Sequence, residues 1–534
     1  MAAWLLAAPA AAGETVAEPA LGARLAAHIT FLADDLLKGR QPGTAGYDIA
    51  AAYVASQFQQ LGLVPAGEGG GYFQQVPLRR AYLEPGSASL ALETDDGTVP
   101  FTFVEQFYTG PSVAQAEADL SAPLAFAGYG IHAPELGYSD YDGLDVAGRV
   151  VVALAGMPAS FPSEEGAHFA SSREKYRSAI DRGAVGLIRI HTPRRERRSD
   201  WGRVRDRVGA PAMAWLTTAG EPWAGFPQLQ ANLVMHHEAA VRLFEGAAFS
   251  MQQLLDRDES GAEMPRFALA GRIHARQRSR HDRLTSPNVV AMLPGSDPLL
   301  SAEYVVYTAH LDHIGELHGD GHGDRINNGA LDNASGVSVM LETARLLATG
   351  AAPRRSLLFV AVTAEEKGLV GSEYFAINPT VPATSLVAAI NLDMPLLLYD
   401  FGDVVAFGAE HSSLGGTVRE AAGEFGVALA PDPMPEENIF VRSDHYRFVQ
   451  QGVPAVFLVT GPRARDGTTD TGATIQRFLQ AHYHRPSDDL DLPIDYAAAA
   501  RFTRINARIG EMLANDPQRP YWLEGDFFGT TFGR

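Results

Sequence analysis

The sequence predicts an α/β protein with a mostly parallel mixed sheet flanked by helices, into which a β-rich domain is inserted. Apolar runs and helical patterns alternate from about residue 285 onward, whereas residues 115–280 carry short apolar runs between many Gly and Pro turns. At 534 residues the chain is also too long for one small core. We therefore predict a tail at 1–20, one domain formed by 21–114 and 281–534, and an inserted domain at 115–280.

The N-terminal part of the chain carries helical patterning between residues 22 and 63. In GYDIAAAYVASQFQQLGL, the apolar residues Ile49, Tyr53, Phe58 and Leu61 recur at roughly the spacing of one helical turn. This spacing predicts an amphipathic helix whose apolar stripe faces the core. The segment has no pattern typical of a catalytic site, so we interpret it as structural.

The opening residues, MAAWLLAAPAAAGE, combine a short apolar core with the small residues of a signal cleavage site. They lack the positively charged start of a complete export signal, so a frayed Ala-rich terminus or a mis-assigned start explains them equally well. On the first interpretation the protein is periplasmic or secreted. No later segment approaches the roughly 20 apolar residues that span a bilayer, so no transmembrane segment is predicted.

The inserted segment contains three short apolar runs, RVVVALAG, AVGLIRI and APAMAWLT, which predict strands. One helical pattern lies near REKYRSAIDRGA. The basic cluster PRRERRSDWGRVRDR in the same segment would be either a docking patch or a solvated loop, and charge runs are more often solvated loops.

The C-terminal part predicts the main sheet. EYVVYTAH, SLLFVAVTAEE, LVAAINLDM and VPAVFLVT are apolar runs of strand length, and GVSVMLETARLLATG between the first two is helical. Alternating strands and helices of this kind form a mostly parallel sheet with helices on both faces.

Composition excludes several classes of function. The balance of 43 basic and 63 acidic residues gives a net charge of -20, which argues against a nucleic-acid partner or an anionic membrane surface. The chain has no Cys, so disulfides, thiolate zinc sites and Cys nucleophiles are excluded. Any metal ion must be bound by His, Asp and Glu.

Potential ligands for a divalent metal collect at predicted strand ends and at one helix start. In open α/β sheets this edge is where ligands bind, and imidazoles with carboxylates suit zinc or a similar ion. A bridging carboxylate can hold two ions ~3.5 to 4 Å apart, and such a pair activates a shared water. Adjacent side chains near a strand end point in different directions, so one acid can ligate metal while its neighbour acts as general base. The residues are His310, Asp312, Asp332, Glu365, Glu366, Asp393 and His484.

These stretches resemble the co-catalytic zinc exopeptidases, a family that includes bacterial leucyl aminopeptidases and glutamate carboxypeptidase. The resemblance rests on AHLDHIG, NGALDNASG, TAEEKGLVGSEYF, NLDM, SDHYRFVQQGVPAVF and YHRPSDDLD, and it extends to the N-terminal LADDLLKGRQPGTAGYDIAAAYVASQFQQLGLVPAG. The middle segment, with YDGLDVAGRVVVALAG, resembles the protease-associated domain that is often inserted in such enzymes. The motifs are weak signals singly and a strong signal together.

The resemblance implies a site with two zinc ions or other divalent metals. His310, Asp332 and Asp393 would hold one ion. Asp332, Glu366 and His484 would hold the second, so that Asp332 bridges the pair. These are the metal ligands that the sequence predicts.

The resemblance also implies roles beside the metal ligands. Glu365 would be the general base, and Asp312 would fix the ring of His310. Tyr483, next to a ligand, would stabilise the oxyanion or would simply be a packed aromatic residue. The chain departs from many members of the family at Leu331, where they have an acid before the bridging aspartate; the bridging position itself is kept.

The predicted function is a zinc-dependent aminopeptidase that releases N-terminal residues from peptides. The alternatives are a carboxypeptidase or an amidohydrolase acting on dipeptides or N-acylated amino acids, for which Arg442 is a candidate contact to the substrate carboxylate. Glutaminyl cyclase activity and an inactive receptor-like binding protein are further alternatives. The expected partner is therefore a peptide or a small amide.

Two further motifs allow competing interpretations. We expect the loop residues His313, His318 and His322 to be solvated or at the rim of the site rather than metal ligands. The consecutive Ser, Asp and His at 443–445 imitate a catalytic triad, but adjacent side chains do not face one another. We expect this stretch to line the substrate pocket or to cap a helix.

Overall fold

The computed structural model describes residues 18–197, 199–204, 208–317 and 323–534. The predicted export signal lies outside these residues, so the periplasmic or secreted location remains a prediction. None of the described helices combines the length and the apolar composition needed to cross a bilayer.

The larger of two sheets has the mostly parallel mixed architecture that the sequence predicts. Four neighbouring central strands run parallel to one another, and each was predicted from its apolar run. A 28-residue strand, Arg266–Leu293, pairs antiparallel with one side of this parallel group. In spatial order the main strands of the sheet are Ala212–Trp215, Phe73–Leu83, Arg266–Leu293, Ser356–Val362, Tyr304–His310, Leu386–Asn391, Ala455–Thr460, Asp403–Phe407 and Ala428–Ala430.

Helices cover both faces of this sheet because its strands are apolar on both sides. In Ser356–Val362, Leu357 and Phe359 join the core on one face, while Leu358 and Val360 join the core on the other. Every residue of this strand is buried. The helices are Glu18–Leu32, Ala45–Gln60, Gly336–Thr349, Val370–Ile377, Leu414–Glu424, His445–Val449, Thr471–Ala481, Tyr496–Asn515 and Phe527–Phe532.

The N-terminal helices differ from the predicted apolar stripe. Phe58 is fully buried as expected, but Ile49 is 48% exposed. The buried face of Ala45–Gln60 instead contains Tyr47, Val54 and several Ala residues. Small Ala side chains permit close packing against the sheet, and a pattern based on large apolar residues does not register them.

The predicted insertion corresponds to a second sheet, which we call the inserted domain and which shares the long strand Arg266–Leu293 with the first sheet. Strand pairing places Ser89–Thr94 in this second sheet, upstream of the predicted boundary at residue 115, so we propose that the insertion begins before Ser89. Ala212–Trp215, predicted as part of the inserted domain, pairs instead with Phe73–Leu83 at the edge of the larger sheet. The other strands of the second sheet are Gly97–Phe101, Phe107–Tyr108, Glu117–Ala127, Val150–Leu154, Gly186–His191 and Ala231–His236.

The inserted domain also contributes helices, two of which face the larger domain. Ser163–Ala170 and Ser172–Ile180 each contact the larger domain, while Met251–Ser260 packs within the insertion. Arg173 forms an ion pair with Glu373 of the larger domain. These contacts hold the insertion beside the carboxyl-terminal edge of the parallel strands.

His411 joins both domains through two carboxylates. Its Nε2 lies 2.7 Å from Oε2 of Glu164 in the inserted domain, and its Nδ1 lies 2.5 Å from Oδ2 of Asp526 near the C-terminus. The ring and both acids are largely withdrawn from solvent. A protonated ring would therefore hold three segments together.

We expect the thermal stability to fall at alkaline pH through His411. Burial alone would lower the pKa of its ring, but the carboxylates of Glu164 and Asp526 raise it to about 9. In the unfolded chain a His pKa is about 6.5, so this interaction stabilises the fold fully below that pH and is lost as the pH rises through 9. The loss of this proton should lower the free energy of unfolding by at most about 3 kcal/mol. Between pH 6.5 and 9, the midpoint temperature of thermal unfolding should fall less steeply in H411F than in the wild type. Equal dependence of the midpoint on pH in the two proteins would contradict the prediction.

Candidate metal centre

The parallel strands bring the predicted ligands to one edge of the larger sheet. His310 is the last residue of its strand, Glu365 and Glu366 lie in the turn that follows Ser356–Val362, and Asp393 follows Leu386–Asn391. Because these strands run in the same direction, their carboxyl ends meet at the same edge. The sheet therefore collects residues that are far apart in the chain.

Three predicted ligands form the first cluster. Nε2 of His310 lies 3.3 Å from Oδ1 of Asp332 and 3.2 Å from Oδ1 of Asp393. Candidate ligand atoms of the three residues all lie within 4.8 Å of one another. An imidazole nitrogen and two carboxylate oxygens at this spacing can surround one divalent ion.

The second cluster uses the other oxygen of Asp332. Nε2 of His484 lies 3.2 Å from Oδ2 of Asp332 and 3.3 Å from Oε2 of Glu366. Each oxygen of the Asp332 carboxylate thus faces a different imidazole. This is the arrangement expected of a carboxylate that bridges two metal ions.

His313 contradicts the expectation of a solvated or rim residue. Its side chain is fully buried, with Nδ1 2.8 Å from Oε1 of Glu366. It also forms a close group with Asp332 and Glu366 that could hold a metal ion. We favour His484 as the ligand, because one of its ring nitrogens, Nε2, faces the carboxylates of both Asp332 and Glu366. The other two loop histidines, His318 and His322, lie outside the described residues.

Unpartnered buried atoms at this cluster fit a cation. Within the described part of the chain, Nε2 of His313 has no hydrogen-bond partner, and Nδ1 of His313 and Oε1 of Glu366 lie 2.8 Å apart without the geometry of a hydrogen bond. Buried polar atoms nearly always have a partner, and a bound ion can supply one. The candidate ligand atoms are nitrogen and oxygen without sulfur, and zinc binds such a set of ligands.

The electrostatics of the clusters differ from one carboxylate to the next. Burial opposes ionisation of Asp332, but hydrogen bonds from His310 and His484 lower its pKa well below the usual value. Burial raises the pKa of Glu365 well above its usual value, and the nearby Asp444 adds to this. The two residues therefore have the properties expected of a ligand that stays ionised and of an acid that can carry a proton.

Asp312 supports the turn that carries the two glutamates. Its Oδ1 accepts a hydrogen bond from the main-chain N–H of Glu365 at 3.0 Å, and its Oδ2 accepts one from Glu366 at 3.4 Å. The ring of His310 contacts the main-chain carbonyl of Asp312 at 3.0 Å, rather than the carboxylate as the sequence suggested. The residue thus orients both the ligand and the turn through different atoms.

Tyr483 lies against the second cluster. Its ring stacks on that of His484 with centroids 3.8 Å apart, and its hydroxyl accepts a hydrogen bond from Nη2 of Arg442 at 3.2 Å. A phenol beside a cationic guanidinium is a suitable donor to a developing negative charge. The oxyanion role remains a proposal.

The stretch at 443–445 lies behind the first cluster. Oγ of Ser443 donates a hydrogen bond to Oδ2 of Asp393 and accepts one from Nδ2 of Asn391 at 2.5 Å. Asp444 precedes the helix His445–Val449, but its side chain makes no capping hydrogen bond, so the helix-cap interpretation is wrong. Ser443 instead orients a predicted ligand, and its place in the substrate pocket stays a prediction.

The sequence analysis did not identify Arg40 as a residue of the site, and it did not predict that Leu331 is buried. The buried guanidinium of Arg40 donates to the main-chain carbonyls of Leu311 at 2.9 Å and of Gly329 at 3.1 Å, next to the segments that carry His310 and Asp332. Leu331 is fully buried in the core beside the site. The only available signal for Arg40 was its position inside the quoted N-terminal stretch.

Asp488 is a second missed residue, although it lies in the quoted YHRPSDDLD stretch. Its fully buried carboxylate accepts hydrogen bonds from the main-chain N–H groups of Leu331 at 2.9 Å and Asp332 at 3.0 Å. Burial raises its pKa to about 7. Asp488 therefore fixes the backbone of the bridging residue.

We expect D488A to destabilise the fold by about 2 to 4 kcal/mol. The substitution leaves two buried N–H groups without an acceptor, and each such group costs about 1 to 3 kcal/mol. Thermal or chemical unfolding measures the change, and D491A, at an exposed position in the same loop, is the matched control. A variant as stable as D491A would show that the two hydrogen bonds are unimportant.

Comparisons with known proteins find similarity to peptidases. The model of Peptidase family M28 matches residues 288–509, which include every predicted site residue. The probable leucine aminopeptidase 2 of Aspergillus fumigatus is 28% identical over 223 residues, which are 40% of this chain and 41% of that protein. A probable lipoprotein aminopeptidase of Mycobacterium tuberculosis is 25% identical over 476 residues, which are 85% of this chain and 76% of that protein.

One solved structure has a similar fold over nearly the whole chain. The aminopeptidase from Aneurinibacillus sp. strain AM-1 is 19% identical and superposes with a TM-score of 0.53, covering 93% of this chain and 95% of its own. This likeness concerns the fold alone. The chain spans less than half of the length of the Aspergillus fumigatus relative.

Proposed function

We propose, from the premise that residues 288–509 belong to Peptidase family M28, that this protein is a zinc-dependent aminopeptidase with two metal sites. The family match confirms the resemblance to zinc exopeptidases that the motifs predicted. The observation that carries the proposal is the carboxylate of Asp332, whose two oxygens face His310 and His484 separately. A site for a single metal ion would need only one oxygen of Asp332 to face an imidazole.

The chain supplies the groups for peptide hydrolysis around this carboxylate. Zinc bound here would polarise the scissile carbonyl and acidify water. Glu365 would take a proton from the attacking water and pass it to the leaving amine. Tyr483, with Arg442 against its hydroxyl, would donate to the carbonyl oxygen as negative charge develops there.

The remaining alternatives make distinct predictions. A carboxypeptidase or amidohydrolase needs a cation for the substrate carboxylate, and the placement of Arg442 beside Tyr483 is the observation that favours it. A glutaminyl cyclase would convert N-terminal Gln without hydrolysing peptides. An inactive receptor-like protein would bind negligible zinc, although the complete ligand set argues against this.

Cleavage of leucyl anilide and of its N-acetylated counterpart tests the proposal. We expect the zinc-loaded protein to cleave only the free-amine substrate and expect chelation to abolish the activity. Selective cleavage of the acetylated substrate would favour the amidohydrolase instead. If neither substrate is cleaved and elemental analysis finds no bound zinc, the metallopeptidase proposal is wrong.

A further inference from the structure

A cavity of about 400 Å³ lies between the inserted domain and the larger domain. The strand Gly186–His191 and the segment after it line one side, and residues 436–442 of the larger domain line the other. Sites for small ligands commonly have this volume and lie between domains. The cavity therefore has the size and the position of a ligand site.

The cavity is cationic in a protein that is strongly acidic overall. Five arginines line it against three acidic side chains, while the whole chain carries a net charge of -20. Such a local reversal of charge attracts an anionic group that the rest of the surface repels. The arginines are Arg189, Arg194, Arg195, Arg203 and Arg442, and the acidic residues are Asp200, Glu436 and Glu437.

Two arginines of the cavity retain capacity to bind an anion. Arg189 donates from Nη1 to Oγ of Ser172 at 2.6 Å, but its buried Nε has no hydrogen-bond partner in the described part of the chain. Arg194 lies 3.7 Å from Oδ1 of Asp258, a distance too long for a hydrogen bond. Guanidinium groups with free donors bind carboxylates in a fork geometry.

The cavity adjoins the metal centre through Arg442. This residue lines the cavity and donates to the hydroxyl of Tyr483, whose ring stacks on His484. A peptide whose scissile bond lies at the metal centre could therefore extend toward the cavity.

Three arginines of the basic cluster line this cavity. Arg194, Arg195 and Arg203 belong to the basic cluster that the sequence left as either a docking patch or a solvated loop. Arg203 donates to the main-chain carbonyl of Leu479 in the larger domain at 3.0 Å, so this residue contacts both domains.

We propose that this cavity binds a carboxylate of the peptide substrate, so that the inserted domain selects acidic or short peptides. The proposal rests on the proposed function, because the cavity adjoins the predicted peptidase centre. The carboxylate would come from an Asp or Glu side chain or from the C-terminus of a short peptide. Both sources offer the same planar group to Arg189 and Arg194.

Three isosteric substrate pairs test the proposal and distinguish the sources. Leucyl-glutamyl amide against leucyl-glutaminyl amide tests a side chain after the scissile bond, and glutamyl-leucyl amide against glutaminyl-leucyl amide tests one before it. Leucyl-glycine against its amide tests the C-terminal carboxylate. We expect kcat/KM of the zinc-loaded protein to be at least about 10-fold higher for the carboxylate member of one pair.

Variants assign the preference to the cavity. R189Q and R194Q should bring the ratio of kcat/KM within that pair close to one. R197Q should retain the wild-type ratio, since Arg197 pairs with Glu259 on the exposed surface. Equal rates in all three pairs, or a preference that survives both cavity variants, would overturn the inference. Cleavage of the neutral peptides would in that case leave the proposed peptidase function intact.

A binding measurement decides the inference even if no peptide is cleaved. Calorimetric titration with glutarate should show binding to the wild type and to R197Q, and binding should weaken by at least about 10-fold in R189Q. Glutaramide, the neutral analogue, should not bind. Glutarate that binds equally to the wild type and R189Q would be held by another site, such as the metal centre, and would refute the assignment to the cavity.

Discussion

The E365Q substitution is expected to lower kcat by about 10²- to 10⁴-fold while leaving the zinc content unchanged. Gln keeps the size and polarity of the side chain but cannot accept a proton from water. Glu365 and its neighbour Glu366 share one turn, yet only Glu366 lies within 3.3 Å of the second-cluster ligand His484 in the described ion pairs. The proton-transfer role and the ligand role are therefore separable.

The adjacent residue is the matched control for this experiment. E366Q should lose zinc from the second cluster, because it removes a charge that faces His484. Steady-state kinetics with leucyl anilide and elemental analysis of zinc measure the two effects in both variants. Wild-type turnover in E365Q would make the general-base assignment wrong, and loss of zinc in E365Q would indicate that Glu365 is itself a ligand.

The D332A substitution is expected to abolish metal binding at both clusters. Asp332 faces His310 with one oxygen and His484 with the other, so its removal takes a ligand from each ion and the bridge between them. Even residues that only support ligands typically change metal affinity by about 10- to 100-fold, and loss of a shared ligand should exceed this. Activity should fall below detection.

Metal content and thermal stability test this prediction without relying on turnover. Wild-type protein should unfold at a higher temperature with zinc than with chelator, because an ion that binds only the folded state stabilises it. The difference in unfolding temperature between the zinc and chelator samples should disappear in D332A. H310A and H484A should each retain part of this temperature difference, since each substitution removes a ligand from only one cluster. A full complement of zinc in D332A would exclude the bridging assignment.

The position of the site was predictable from local sequence, but several of its supporting contacts were not. Short apolar runs followed by His310 and by the two glutamates identify strand ends, because strand length and burial leave a local pattern. Arg40 and Asp488 leave no such pattern. The bond from Arg40 to the carbonyl of Leu311 joins residues 271 positions apart, and only the packing of the chain brings them together.

His313 and Ala212–Trp215 show the same limit in a different form. Burial of His313 depends on Glu366, which lies in another strand-end turn, so its loop position alone suggested a solvated residue. The Ala212–Trp215 strand was recognised from its own residues, but its partner was not. A strand pattern specifies which face is buried and does not specify which sheet supplies the neighbour.

The sequence by itself determined the α/β class and the four parallel strands, because these follow from short-range periodicity, and its residue types indicated the candidate metal ligands. Only the tertiary structure decided that Asp332 faces two imidazoles and that Asp488 holds its backbone. It also decided that a cationic cavity forms between the domains. The physical reason is that these features arise from groups which are distant in the chain, and the free energy of packing the whole fold determines which of them meet.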